Sequence, residues 1–177
     1  MLEQIAMTLE EIYAEYHKMV FNLALHYVQN SQDAEEITQD VFVKVYGSLN
    51  GFKNKSSLKT WIYRITINQS LDFIKSYKTQ KRNFFSTMFR LNETNLQFEP
   101  TYFNHPGIEL EQKEALRLIF QAINQLNDKQ KTALILLKIE GKSQSETAEI
   151  MKLNVKAIES LFQRAKKNLE ILLNSKG

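Results

Sequence analysis

The chain has 177 residues, 43% of them hydrophobic and 24% charged, the balance of a globular protein with room for one ordinary domain or two small ones. It has no cysteine, which excludes disulfides, thiolate metal sites and thiol nucleophiles together. The net charge of +3 is unevenly placed: from Lys53 to Arg82 eight bases stand against one acid, +7, so the remainder carries −4, and a local basic block of this kind is the footprint of a polyanion site.

Only five glycines and two prolines interrupt a chain rich in Leu, Ile, Ala, Lys, Glu and Gln, so helix is expected throughout. No turn dipeptide between alternating runs suggests a hairpin. The first sixteen residues carry acids where a signal peptide needs bases and an apolar run. The longest apolar run, 133–137, falls far short of the ~20 residues that span a bilayer. A soluble, cytoplasmic, all-α protein is expected.

The first helix runs from about Leu9 to Tyr27 through Ile12, Tyr16, Met19 and Leu23. Its His17 and His26 are nine residues apart, on opposite faces, and are given no site. A second helix opens at Asn30, Ser31 or Asp33 and buries Ile37, Val41, Val45 and Leu49, with Gly47 or Gly51 near its end. Glu36, Gln39 and Asp40 share its exposed face, where the helix dipole and solvation suffice to explain acids near an N-terminus. After the polar loop 51–57, Ser56 or Ser57 caps a third helix reaching about Tyr77. Leu58, Trp61, Ile62 and Ile65 form its buried stripe. Trp61, the only tryptophan, also lines up with Arg64 and Asn68 in a second stripe, too polar for a core and too aromatic for an idle surface.

Helical periodicity fails from 78 to 107, which holds both prolines and is read as a linker between domains. Its Phe84, Phe85, Phe89, Phe98, Tyr102 and Phe103 are unusual for a free tether and either dock on a partner or pack on the flanking domains. Residues 109–126 then form an amphipathic helix, and 127–141 an element apolar nearly all round, hence a buried central helix. Ser143 and Glu146 are spaced as a capping box. A short helix with Ala148 inward and a three-residue turn follow. The last helix starts near Asn154 and buries Val155, Ile158, Phe162, Ala165, Leu169 and Leu172. This is a helix-turn-helix pattern. Its second helix offers Lys156, Glu159, Ser160, Gln163 and Arg164, then Lys166 and Lys167. Gln and Arg are the residues that pair with adenine and guanine edges, and lysines reach phosphates. No Gly-rich phosphate loop, nucleophile triad or metal spacing occurs, so neither a catalytic residue nor a metal or cofactor site is assigned.

Residues 33–75, a linker and residues 141–169 together resemble a sigma factor of the extracytoplasmic-function (ECF) group of the sigma-70 family. The resemblance implies two small helical domains: sigma domain 2 at 1–80, a linker at 81–107, and sigma domain 4 at 108–177. It implies no catalysis, no cofactor and no small-molecule substrate. The implied partners are the clamp helices of bacterial RNA polymerase core, promoter DNA and an anti-sigma factor that can hold the protein at the inner membrane. Glu36, Gln39 and Asp40, with Phe42 and Val43, match positions that contact the clamp, which overturns the solvation reading. Phe52 and Asn68 match a pocket for a flipped base of the −10 element; the loop Lys53, Asn54, Lys55 to Lys59 reads that base, and Trp61 and Arg64 lie where melting propagates. Ser143, Lys156, Glu159, Ser160, Gln163, Arg164, Lys166 and Lys167 fall to the −35 element. The chain departs from the family at Lys152, where glycine is common, and at Leu161, where arginine is. The rival readings are a free-standing helix-turn-helix repressor or activator, which leaves the +7 block unexplained, and a helical metal-dependent enzyme built on the acids and histidines.

Overall fold

The computed structural model describes residues 7–52, 55–88 and 110–174, with backbone only at 80–88 and 110–113. These residues are all-α: α1 (Leu9–Val28), α2 (Ser31–Ser48) with a 3₁₀ turn (Leu49–Gly51), α3 (Leu58–Met88), α4 (Leu110–Ile123), α5 (Asp128–Leu134), α6 (Gln144–Met151) and α7 (Val155–Asn174). Side-chain oxygens satisfy the free N–H groups that begin most of them. Thr8 and Glu11 make a capping box on α1, Asn30 accepts from the N–H groups of Gln32 and Asp33, and Asn127 accepts from that of Gln130. Of the two candidate serines at α3, Ser57 is the cap, accepting from the Thr60 N–H, and its carbonyl takes the first helical bond from Trp61.

Helices α1, α2 and α3 pack around Ile12, Val20, Leu23, Ile37, Val41, Val45 and Ile62. A second cluster holds Ile123, Leu126, Leu134 and Ala165, with Phe120, Phe162, Leu169 and Leu172 against it. The element between them explains its own all-round apolarity. Leu134 belongs to the second cluster, whereas Ile135 and Leu136 are buried in the first, so one stretch walls two cores. It is not a single α-helix: after Leu134 the chain widens into a π turn (Ile135–Ile139), with the Glu140 N–H donating to the Ile135 carbonyl at 2.9 Å. Gly141 then reverses the chain at φ 64, a conformation that suits a residue with no Cβ.

Three sequence expectations need correction. Helix α3 runs on to Met88, well into the segment read as linker, because Lys, Gln and Arg propagate a helix and the first proline comes only at Pro100. Val155 is 41% exposed rather than buried, standing at the first turn of α7 before the helix meets its neighbours. Phe42 is buried, not on the open face of α2. The aromatics Phe89, Phe98, Tyr102 and Phe103 lie outside the described residues, and the side chains of Phe84 and Phe85 are likewise not described. Among the described residues no helix is long and apolar enough to cross a membrane.

Candidate nucleic-acid and polymerase interfaces

Three surfaces carry the residues singled out by sequence. On α2, Glu36, Gln39, Asp40 and Val43 are all exposed, Val43 by 71%. Phe42 supports this face from behind: its ring lies 4.7 Å from that of Tyr13 on α1, and Tyr13 in turn stacks 4.7 Å from His17. Tyr46 continues the same α2 stripe and is 67% exposed. Sequence reasoning passed over Tyr13 and Tyr46, although the i, i+3, i+7, i+10 spacing from Glu36 through Gln39 and Val43 reaches Tyr46 directly. An acidic rim around exposed aliphatic and aromatic side chains is the composition of a protein-docking surface. Asp33 at the head of the helix has its carboxyl pushed up by burial and by the Glu36 charge.

The second surface is the N-terminal half of α3. Phe52 and Trp61 are half-buried with ring centroids 4.9 Å apart and tilted, an aromatic pair at the end of the polar loop. Asn68 is exposed two turns along, and Lys55 and Lys59 are exposed; Lys53 and Asn54 lie outside the described residues. Arg64 does not stand free between Trp61 and Asn68. Its guanidinium donates to the carbonyls of Glu149 (2.7 Å) and Ile150 (3.2 Å) at the C-terminal end of α6, and to Ser56 Oγ at 3.1 Å. A cation at a helix C-terminus is held by the unpaired carbonyls and the dipole there. Beside it an open cleft of about 250 Å³ is lined by Arg64, Asn68 and Leu71 from α3 and by Thr132, Met151 and Lys152 from the other half.

The third surface is the helix-turn-helix. Ser143 and Glu146 form the expected capping box, which holds the Glu146 carboxyl below the usual range through its bond from the Ser143 N–H. Ala148 is buried where α6 crosses α7, a contact a larger side chain would force apart. The turn places Lys152 at φ 55, ψ 43, so a lysine adopts the left-handed conformation that glycine occupies without strain. Asn154 caps α7 by accepting the Ala157 N–H at 2.7 Å. Along α7, Lys156, Glu159, Gln163, Arg164, Lys166 and Lys167 are exposed and Ser160 is half-buried, its hydroxyl accepting from Arg164 at 2.6 Å. The Ser143 hydroxyl is engaged in its cap but keeps its own hydrogen to donate.

Polar contacts that no sequence pattern announced join the first half of the chain to the second. Glu140, next to the π turn, takes hydrogen bonds from His26 Nδ1 (2.9 Å) and Tyr63 Oη (3.0 Å). Burial acts to raise this carboxyl, but the bonds from His26 and Tyr63 outweigh it and hold the pKa below the usual range. Tyr27 donates to Thr132 Oγ1 at 2.9 Å, and the Asn124 amide donates to Gln29 Oε1 at 2.6 Å. Burial raises the phenols of Tyr27 and Tyr63. Lys131, 2% exposed, reaches Asn124 Oδ1 at 3.0 Å, and burial lowers its pKa to about 8. Among the described residues no group of three His, Cys, Asp or Glu converges as a metal site would require.

Comparison with known proteins converges on the same two segments. The family model for sigma-70 region 2 matches residues 12–80, and that for sigma-70 region 4 matches residues 116–169. The chain is 27% identical over 157 residues to the ECF RNA polymerase sigma-E factor of Haemophilus influenzae, covering 89% of this chain and 82% of that protein. It is 24% identical over 169 residues to the ECF RNA polymerase sigma factor SigX of Bacillus subtilis, covering 93% and 85%. Among solved structures, the sigma factor RpoE of Bartonella quintana, crystallised with the anti-sigma factor NepR, superposes with TM-score 0.61 at 22% identity over 93% of this chain and 96% of that one. CnrH, in complex with the cytosolic domain of CnrY, gives 0.62 at 20% identity over 96% and 89%. At these identities the two structures establish the likeness of fold.

Proposed function

Because this chain belongs to the sigma-70 family, in its ECF group, we propose that it directs bacterial RNA polymerase core to promoters through three separate surfaces. Residues 1–80 form the domain that docks on the polymerase clamp and engages the −10 element, 81–107 the connection, and 108–177 the domain that reads the −35 element. The protein acts in the cytoplasm, where polymerase and DNA are, and it binds rather than catalyses.

The acidic and aliphatic face of α2 meets the clamp through Glu36, Gln39, Asp40 and Val43, with Phe42 holding Tyr13 and the helix in position. On α7, Gln163 and Arg164 reach base edges, while Lys156, Lys166 and Lys167 take phosphates; Glu159, Ser160 and the Ser143 hydroxyl complete that face. On α3, opening a duplex without a nucleotide triphosphate requires that a displaced base be captured, since unstacking costs a few kcal/mol. An aromatic platform returns about 1–3 kcal/mol per stacked base. Phe52 and Asn68 line the receiving pocket, the Lys53 to Lys59 loop reads the base, and Trp61 and Arg64 face the point of strand separation. An anti-sigma factor is a further partner of this reading, as in the complexes of RpoE with NepR and of CnrH with CnrY.

The observation that carries the proposal is the pairing within one chain of a basic, aromatic α3 surface with a helix-turn-helix whose second helix keeps its bases and glutamine exposed. A free-standing repressor needs only the second of these. Reconstitution with core polymerase on a promoter library tests it. Specific initiation that depends on the protein is the expected result; none, from folded protein, would refute it.

A further inference from the structure

The contacts between the two halves have a consequence for promoter binding, resting on the reading just given. Arg64, assigned to strand separation, has its guanidinium bound to the Glu149 and Ile150 carbonyls of α6, the first helix of the helix-turn-helix. Asn68 opens onto a cleft whose far wall is Thr132, Met151 and Lys152. The α3 face that would receive melted DNA therefore lies against the half that would read the −35 element, with 2.7 Å between Arg64 Nη2 and the Glu149 carbonyl. Promoter elements centred at −10 and −35 are about 25 base pairs apart, roughly 85 Å along B-form DNA at 3.4 Å per step. Surfaces in direct contact cannot occupy both.

We propose that the free protein is self-closed: the helix-turn-helix half covers the melting face of α3, and the two halves must part before a promoter can be engaged at both elements. Glu140 is the fastener. It lies on the second half, away from the α7 reading face, and binds two side chains of the first half, His26 on α1 and Tyr63 on α3. Tyr27 with Thr132 and Gln29 with Asn124 add neutral hydrogen bonds along the same seam. Ile135, Leu136 and Ile150 of the second half join the buried cluster of the first. Most of this seam is polar, and water or phosphate can replace a polar partner on opening; Arg64 would exchange two carbonyls for the DNA backbone. The clamp-facing residues Glu36, Gln39, Asp40 and Val43 are all exposed in the closed form. Polymerase can therefore dock on the closed protein, and parting of the halves follows docking.

The cysteine-free chain permits a direct test. Spin labels on Glu35→Cys in α2 and Lys167→Cys in α7, both exposed, report the separation of the halves by pulsed electron resonance in the full-length protein. The free protein should give one short distance, and core polymerase should replace it with a longer one. Glu140→Gln should raise the long-distance population of the free protein by on the order of tenfold, the worth of a charge-assisted hydrogen bond. Tyr63→Phe removes one hydroxyl without risk to the fold and should give a smaller shift in the same direction. A free protein already at the long distance, or polymerase binding with no lengthening, would overturn the closure. Polymerase that never binds would refute the sigma reading instead, and the distance in the free protein would still decide the closure by itself.

Discussion

On α7 the side chains that would meet DNA, among them Gln163, Arg164, Lys166 and Lys167, stand in solvent, whereas on α3 Arg64 is turned onto the end of α6 and the surface around Asn68 faces a cleft between the halves. The same kind of positive, hydrogen-bonding surface is left open in one half and folded against a neighbour in the other. Arginine and asparagine placed to bind a polyanion will also satisfy the carbonyls at a helix C-terminus when no polyanion is present. A nucleic-acid face can thus serve as an intramolecular interface until its ligand arrives.

Four changes would break or sharpen this contrast, from the largest effect to the smallest. Leu136→Ala tests whether the halves share a core, since Leu136 comes from the second half but is buried in the first cluster. A loss of about 3 kcal/mol is expected, and it should appear in the urea transition followed by Trp61 fluorescence, because that tryptophan belongs to the first half. A transition at Trp61 that does not move would mean the halves are energetically separate. Changing Glu36 and Asp40 together to lysine should weaken polymerase binding tenfold or more in a pull-down titration, with far-UV circular dichroism unchanged; the exposed face of α2 has no fold role to lose.

Lys131→Met should stabilise the protein at pH 7 by roughly 1–2 kcal/mol, since a buried ammonium with an amide partner is replaced by an apolar chain of similar length. The sign of the pH dependence follows from the depressed pKa of about 8. Between pH 8 and the unfolded lysine value near 10.4, the unfolded chain holds the proton that the native state has lost, so native stability rises with pH in that window. Thermal melts should show that rise in the native sequence up to about pH 10, where the buried tyrosines begin to oppose it, and no rise in Lys131→Met. Lys152→Gly, the smallest change, relieves the left-handed strain at φ 55 and should add about 0.5–1 kcal/mol, partly offset by the freedom glycine gains when unfolded.

What could be read from the sequence was local. Helices α1, α2 and α7, the Ser143 and Glu146 capping box and the small contact at Ala148 follow from periodicity and caps, which act within a few residues of each other. The second stripe of Trp61, Arg64 and Asn68 was visible as an anomaly, and the acidic face of α2 was visible but gained a meaning only through family likeness. The rest depends on partners distant in sequence. Arg64 with Glu149 and Ile150, and Glu140 with His26 and Tyr63, are separated by 77 to 114 residues, and no spacing rule reaches that far. The length of α3 was misjudged because the lysines and arginine after Tyr77 carry no apolar stripe, yet they propagate a helix well. Phe42 was placed on the open face through its neighbour Val43, but adjacent residues on a helix point some 100° apart, and one of the two had to face the core.

The central claim is a division of labour between two DNA surfaces on one chain, and one experiment with polymerase holoenzyme addresses it directly. Binding to a duplex −35 site and strand opening at the −10 element are measured separately, the first by fluorescence anisotropy and the second by permanganate reactivity of unpaired thymines. Asn68→Ala should reduce opening at least tenfold while duplex −35 binding stays within twofold, and Gln163→Ala should lower −35 binding about tenfold, with opening restored once the complex is forced by higher protein concentration. Equal losses on both steps from both substitutions would contradict the account.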